Sequence, residues 1–295
     1  MMKACLLYFP DCKEPANRLA HFLQIESDQI QIHHFPDGES LITLPERLPE
    51  CVIIYESLNN PNQKLIELLF AARGARNSKV KNLILIAPYL AYMRQDKCFR
   101  PGQVVSQKVI GTFLSELFDS LITIDAHLHR INNLSQILPG CRAINLTTSA
   151  LTANFIVEHF PYAPFLLGPD EESLQWVAGI AKNAGLEYGV CKKIRYGDKN
   201  VNVTLPNVNL RNRHVILIDD IASTGYTLAA AAQELRKSGI NHIDCIITHA
   251  LFAKGALKLL KESGIKHIIT SDTISHSTNK IFIAPIVAKA LEDLV

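Results

Sequence analysis

Short apolar runs rich in β-branched residues recur along this chain, and stretches with apolar positions at helical spacing separate them. The runs Lys3–Tyr8, Val52–Tyr55, Leu83–Ala87, Leu121–Ile124, Phe165–Leu167, Val215–Ile218, Ile243–His249 and Ile268–Thr270 predict strands. Helices are expected over Glu14–Gln24, Gln63–Asn77, Ser106–Leu117, Thr148–Phe160, Glu171–Ala184, Thr227–Ser238 and Gly255–Glu262. Such alternation points to an α/β fold with mainly parallel sheets flanked by helices. Roughly halfway, the order of strand, acidic turn and helix begins again. This predicts two similar domains, residues 1–144 and 145–295, packed without a low-complexity linker, the last helix being free to pack back on the first domain.

Composition narrows the picture. A chain of 295 residues that is 48% hydrophobic supports two buried cores, and its formal net charge of +2 advertises neither nucleic acid nor an acidic membrane surface. The eight tyrosines and single tryptophan are scattered, without the basic–aromatic interleaving of a single-strand binder. The seven cysteines are odd in number, widely spread and free of any Cys-x-x-Cys pair, so neither a disulfide framework nor a structural zinc site is indicated. The longest apolar run, Leu83 to Met93, is about half a membrane span, and no charged-then-apolar leader precedes the first strand. The expectation is a soluble, cytoplasmic protein with no nucleic-acid or membrane partner.

The most informative string is Val215-Ile216-Leu217-Ile218-Asp219-Asp220-Ile221-Ala222-Ser223-Thr224-Gly225-Tyr226-Thr227. A buried strand ends in two adjacent carboxylates, a small-residue turn follows, and an Ala-rich helix begins. In an open α/β sheet, ligands bind outside the carboxyl ends of the strands. Helix N-terminal N–H groups beside Ser and Thr hydroxyls suit a phosphate, and paired carboxylates accept from vicinal hydroxyls. The parts describe a pocket for a sugar 5-phosphate. Taken generically, the same string is a strand ending in Asp with Ser and Thr capping a helix.

Other strings carry chemistry less specifically. Phe35-Pro36-Asp37-Gly38-Glu39 reads as a turn with solvated carboxylates, or as a stacking face beside acceptors for an exocyclic amine. Arg94, Gln95 and Asp96 follow the third predicted strand, where a planar Arg fork and an amide fit a polyphosphate and a base edge. Asp125-Ala126-His127 and Gly168-Pro169-Asp170 each stand at the end of a strand. Lys193 and Arg195 lie in a basic segment that is either a solvated hairpin or a set of cations for charge developing in transit.

The string 219–227 resembles the phosphoribosyl-pyrophosphate loop shared by type I phosphoribosyltransferases and ribose-phosphate pyrophosphokinases. Three of the remaining strings, at Phe35–Glu39, Arg94–Asp96 and Lys193–Arg195, resemble respectively the pyrophosphokinases' Phe-x-Asp-Gly-Glu element, their Pro-Tyr-x-x-Tyr-x-Arg-Gln-Asp loop, and the Lys-x-Arg pair of their mobile loop. The resemblance implies two tandem type I phosphoribosyltransferase-like domains with the site at their interface. It implies transfer of a diphosphoryl group from ATP to ribose 5-phosphate, giving 5-phosphoribosyl 1-pyrophosphate and AMP. ATP would be held by Phe35, Asp37, Glu39, Arg94, Gln95 and Asp96. Ribose 5-phosphate would be held by Asp219, Asp220, Ala222, Ser223, Thr224, Gly225, Tyr226 and Thr227. Mg2+ would lie near His127 and Asp170, and Lys193 and Arg195 would be catalytic. A homo-oligomer with Phe35–Glu39 near a subunit interface is implied as well. Three places depart from the family pattern: Tyr226 stands where small residues are usual, Glu171 and Glu172 follow Asp170, and Ala250 replaces a glycine. Two alternatives stay open. A phosphoribosyltransferase would share the 219–227 loop without needing Arg94 to Asp96 or the Lys193/Arg195 pair, and a non-catalytic regulatory paralogue would bind without turnover.

Overall fold

The computed structural model describes residues 4–128, 130–131, 133–196 and 200–295, with side chains described outside 193–202. The chain divides into two compact units. The first comprises residues 1–146, 273–275 and 283–295, and the second residues 147–272 and 276–282.

In the first unit, β1 (Ala4–Tyr8), β2 (Glu26–Gln29), β5 (Cys51–Tyr55), β6 (Asn82–Ile86), β7 (Ser120–Ile124) and β8 (Arg142–Leu146) form a parallel sheet in the order β2-β1-β5-β6-β7-β8. Alternate side chains point to opposite faces, both covered in the middle of the sheet, which explains why the central strands β5, β6 and β7 are buried almost throughout. Leu7, Val52, Ile54, Leu83 and Leu85 pack under α2 (Pro61–Asn77) and α3 (Ser106–Ser115). Leu6, Tyr8, Ile53, Ile84 and Ile122 face α1 (Lys13–Leu23) and the C-terminal α8 (Ala284–Leu291), whose Val287 and Leu291 are fully buried. A hairpin of β3 (Gln31–His34) and β4 (Ser40–Thr43) stands apart from the sheet.

The second unit repeats this plan. Its parallel sheet runs β10 (Tyr188–Val190), β9 (Phe165–Gly168), β13 (Val215–Ile221), β14 (Ile243–His249), β15 (Ile268–Ser271) and β16 (Asn279–Ile281) in spatial order. Its own hairpin, β11 (Lys192–Tyr196) with β12 (Asn200–Thr204), stands in the equivalent place in the chain order. One face packs on α6 (Tyr226–Lys237) and α7 (Ala256–Glu262), the other on α4 (Ser149–His159) and α5 (Leu174–Ala184). In both sheets the strand order reverses beside the first strand, at β1/β5 and at β9/β13. These are topological switch points, where crevices open at the strands' carboxyl ends.

Two of the differences from the sequence expectation bear on the second unit's switch point. β13 runs on through both aspartates to Ile221, because Asp219 and Ile221 stay in ladder register with Ile247 and His249 of β14. The helix expected from Glu171 begins as a 3-10 turn over Glu171–Ser173 and becomes α5 only at Leu174, since Asp170 caps the tighter turn by accepting from the Glu172 N–H. Among the described residues, no helix is long and apolar enough to cross a membrane.

Candidate functional site

In the second unit, the end of β13 delivers Asp219 half-buried and Asp220 only 3% exposed, and the Asp219 Oδ1 accepts from the Asp220 N–H at 3.1 Å. The turn after them is laced to the segment following β14. The Phe252 N–H donates to the Ala222 carbonyl and the Ala253 N–H to the Ser223 carbonyl, both at 2.9 Å. Gly225 closes the turn at φ +78°, a left-handed conformation that glycine adopts without steric cost. A side chain there would also meet Leu260, at 3.3 Å from both Cγ and Cδ2. The N-terminal N–H groups of α6 lack intrahelical acceptors and make the end of the turn receptive to an anion. Tyr226, at the first position of α6, is 64% exposed. Its ring projects into solvent, so the bulky residue does not crowd the turn.

Asp170 stands at the end of the neighbouring strand β9, and Ser173 Oγ donates to its carbonyl at 2.6 Å. Gly168 before it is obligatory: a Cβ would lie 2.1 Å from Ser173 Oγ and 2.9 Å from Val190 Cγ1. Glu171 and Glu172, the residues that depart from the family pattern, are exposed. Burial pushes the Asp219 carboxyl well above its ordinary range, and the charges of Asp220 and Asp170 push it further. A cation or the hydroxyls of a ribose beside Asp219 would relieve this repulsion.

The other predicted residues lie in the first unit, except Lys193 and Arg195. Phe35 to Glu39 form the tip of the β3–β4 hairpin, closed by the Phe35 N–H on the Glu39 carbonyl at 2.8 Å and by the Glu39 N–H on Asp37 Oδ1 at 3.2 Å. Phe35 is 42% exposed, with His33 edge-on at 4.7 Å. Beside the tip is a pocket of about 840 Å³ lined by residues that include Glu39, Ser40, Gln63 and Phe70. The hydrogen-bond network tying its lining residues together was not visible in the sequence. Buried Glu67 Oε1 lies 2.8 Å from His34 Nε2 and accepts from Ser40 Oγ and Gln63 Nε2, each at 2.9 Å.

In the loop after β6, Arg94 is exposed, while its neighbours are tied down. Gln95 Oε1 accepts from Ser106 Oγ at 2.9 Å, and Arg130 Nη1 donates to both carboxylate oxygens of Asp96 at 2.6 and 2.5 Å. Tyr92, left-handed at φ +65°, donates to Asn62 of α2. His127 is half-buried just past β7, after Asp125, which is buried at φ +39°. Lys193 and Arg195 lie on β11, opposite Val203 and Val201 of β12. Their side chains are outside the described residues.

A further cluster that sequence reasoning missed sits at the switch point of the first unit, formed by Asp11, Cys12, Glu56 and Lys64. Burial pushes the Glu56 carboxyl up to about 8, although Lys64 draws it down. In sequence, Glu56 and Lys64 look like ordinary solvated charges, and only the fold closes over them.

Comparison with known proteins fits this architecture. The family model for the N-terminal domain of ribose phosphate pyrophosphokinase matches residues 4–117, and that for the phosphoribosyl transferase domain matches residues 150–286. A ribose-phosphate pyrophosphokinase of Methanopyrus kandleri is 32% identical over 279 residues, spanning 94% of each chain. One from Sulfolobus acidocaldarius is 33% identical over 278 residues, spanning 91% of this chain and 92% of its own. The crystal structure of phosphoribosylpyrophosphate synthetase from Mycobacterium smegmatis shares the fold, with a TM-score of 0.85 over 98% of each chain at 22% identity. Fold and loop thus define a protein of two phosphoribosyltransferase-type domains. More narrowly, the chain belongs to the ribose-phosphate pyrophosphokinase family.

Proposed function

We infer that this chain is an enzyme of nucleotide biosynthesis that transfers the diphosphoryl group of ATP to the 1-hydroxyl of ribose 5-phosphate, giving 5-phosphoribosyl 1-pyrophosphate and AMP. The observation that carries this reading is the Asp219–Asp220 pair, half-buried and buried, leading directly into the 222–227 turn at the N-terminus of α6. The carboxylates accept from the ribose hydroxyls, and the turn's N–H groups and hydroxyls hold the 5-phosphate. The sugar's 1-hydroxyl oxygen attacks the β-phosphorus and its proton passes to solvent, while the bond to the oxygen bridging α and β breaks and AMP leaves with that oxygen.

Phosphoryl transfer of this kind depends on positioning and charge stabilisation. Phe35 stacks on the base, with Asp37 and Glu39 accepting from its amine. Arg94 and Gln95 hold the polyphosphate and base edge, and Asp96, engaged by Arg130, sets the shape of their loop. Lys193 and Arg195 neutralise the moving diphosphoryl group. Mg2+ would, when bound, shield the phosphate oxygens, with His127 contributing to one position and Asp170 to a second; a carboxylate such as Asp170 suits such a cation. The first domain, 1–144, is read as carrying the ATP and assembly elements, and the second, 145–295, the ribose-phosphate site. Exposed Phe35, Leu41, Ile66 and Phe70 around the hairpin support self-association as a homo-oligomer through this surface. A cytoplasmic location is part of the same reading, because ATP and ribose 5-phosphate are intracellular metabolites.

The discriminating experiment offers nucleobases together with 5-phosphoribosyl 1-pyrophosphate and monitors pyrophosphate. No release is expected. Base-dependent release would make the chain a phosphoribosyltransferase instead.

A further inference from the structure

The two sheets share one strand order, so the β1/β5 crevice of the first unit corresponds to the β9/β13 crevice of the second. The correspondence reaches the side chains. Pro10-Asp11 follows β1 as Pro169-Asp170 follows β9, and each pair leads through a 3-10 turn into a helix. Glu56 stands just past the end of β5, where Asp219 and Asp220 stand at the end of β13. The first unit therefore carries its own acidic cluster at its own switch point.

That cluster is arranged like a coordination site. One ligand atom each from Asp11, Cys12 and Glu56 lies within 4.8 Å of the others. Glu56 is 0% exposed, and its Oε2 has no hydrogen-bond partner among the described residues. At the centre is an ammonium group. Lys64 Nζ, from the first turns of α2, lies 2.6 Å from Glu56 Oε1 and donates to Asp11 Oδ2 at 2.5 Å, to the Ser57 carbonyl at 2.6 Å and to Asn59 Oδ1 at 3.1 Å. The cluster is closed by residues of the same unit: Ser57 Oγ donates to the Thr273 carbonyl at 2.5 Å, and Ser275 Oγ to the Asp11 carbonyl at 2.7 Å.

We propose that Asp11, Cys12 and Glu56 form a second cation site, at the switch point of the N-terminal unit, in which the Lys64 ammonium is the resident cation and excludes divalent metal. Two carboxylates and a sulfur constitute a donor set for a borderline-soft divalent ion such as Co2+ or Zn2+ rather than for magnesium. When such an ion replaces the ammonium, Cys12 releases its thiol proton to solvent and binds as thiolate. The lysine thus fills and partly neutralises one of two corresponding crevices, while the other, with Asp170, Asp219 and Asp220, is left for ligands.

The test is Co2+ titration of the full chain without nucleotide, followed by the near-ultraviolet thiolate-to-cobalt charge-transfer band. Wild type, Lys64→Met, Lys64→Arg and the double variant Lys64→Met/Cys12→Ser are compared. Lys64→Met should gain a one-equivalent band and bind Co2+ there at least about tenfold more tightly than wild type, because a like charge has left the ligand oxygens. The band should be absent from Lys64→Arg and from the double variant, which removes Cys12 while retaining Cys191 near Asp170. No band in Lys64→Met, an equal band in wild type, or a band that survives Cys12→Ser would overturn the proposal. Should Lys64→Met fail to fold alone, Co2+ must restore its circular dichroism; failure to do so counts against the site equally.

Discussion

Gly225→Ala probes the link between backbone geometry and ribose-phosphate binding, and its cost can be worked out in two parts. Gly225 sits at φ +78°, and an L-residue in the left-handed region costs roughly 1–2 kcal/mol. The added Cβ would lie 3.3 Å from Cγ and Cδ2 of Leu260 and 3.7 Å from the Ala256 carbonyl oxygen. Leu260 is 0% exposed within the core under α6 and α7, so it yields little, and overpacking of this kind costs typically about 1–3 kcal/mol. The two parts together predict a destabilisation of about 2–5 kcal/mol. At about 2–4 °C per kcal/mol for a domain of this size, the lower half of that range already shifts Tm visibly. Relief of the clash pushes the turn outward and misaligns the N–H groups that receive the 5-phosphate, so KM for ribose 5-phosphate should rise more than KM for ATP. Gly239→Ala is the control. Its φ is +84°, but nothing lies within 4 Å of a Cβ there, so it carries the backbone cost alone, at the far end of α6. The assay is thermal unfolding together with initial rates for both variants. If Gly225→Ala matches Gly239→Ala in Tm and in KM for ribose 5-phosphate, the account of the turn is refuted.

Other outcomes follow from the same structure. Lys193→Ala should lower kcat by about 10²–10³ with little change in KM for ATP, as for loss of a donor to developing charge; equal losses in both would remove Lys193 from its role. Asp219 has a folded pKa raised by burial, so its ionisation costs stability as pH rises from the ordinary carboxylate range through the folded value. Asp219→Asn should therefore raise Tm at neutral pH while lowering ribose 5-phosphate affinity, and a lowered Tm would contradict this. Asp244 behaves oppositely. Burial raises its pKa, but the hydrogen bonds from His214 at 2.8 Å and from the His267 N–H at 2.8 Å outweigh burial and hold it below 3.8. Its contribution is present above about pH 4 and is lost as pH falls through the folded value. Denaturant titrations of Asp244→Asn and wild type should show a stability gap at pH 7 that narrows below about pH 4; a gap constant with pH would contradict the assignment.

Burial and local chemistry decided what could be read from the sequence. The central strands were legible because a parallel strand covered on both faces must be apolar throughout, as Val215 to Ile218 are. The edge strand β2, Glu-Ser-Asp-Gln, carries no such signal: it is half-solvated, and backbone pairing with β1 alone makes it a strand. The phosphate turn was legible because its small and hydroxylic residues serve one purpose in one order. Tyr226 looked like an obstacle in that string, and only its outward position on α6 shows that it is not. The Asp96 carboxylate is engaged by Arg130, 34 positions away, a pairing that no local pattern announces. Glu67 and Glu56 lie on long-range networks whose partners are brought together by the sheet, and no local pattern announces either.

The central claim is transfer of a diphosphoryl group rather than a single phosphoryl group. The most direct measurement is phosphorus NMR of the full chain with ATP, Mg2+ and ribose 5-phosphate, with Asp220→Asn as control. AMP and 5-phosphoribosyl 1-pyrophosphate should appear in equal amounts, only when ribose 5-phosphate is present, and should vanish in the variant. Formation of ADP in place of AMP, or AMP that persists undiminished in Asp220→Asn, would contradict the account.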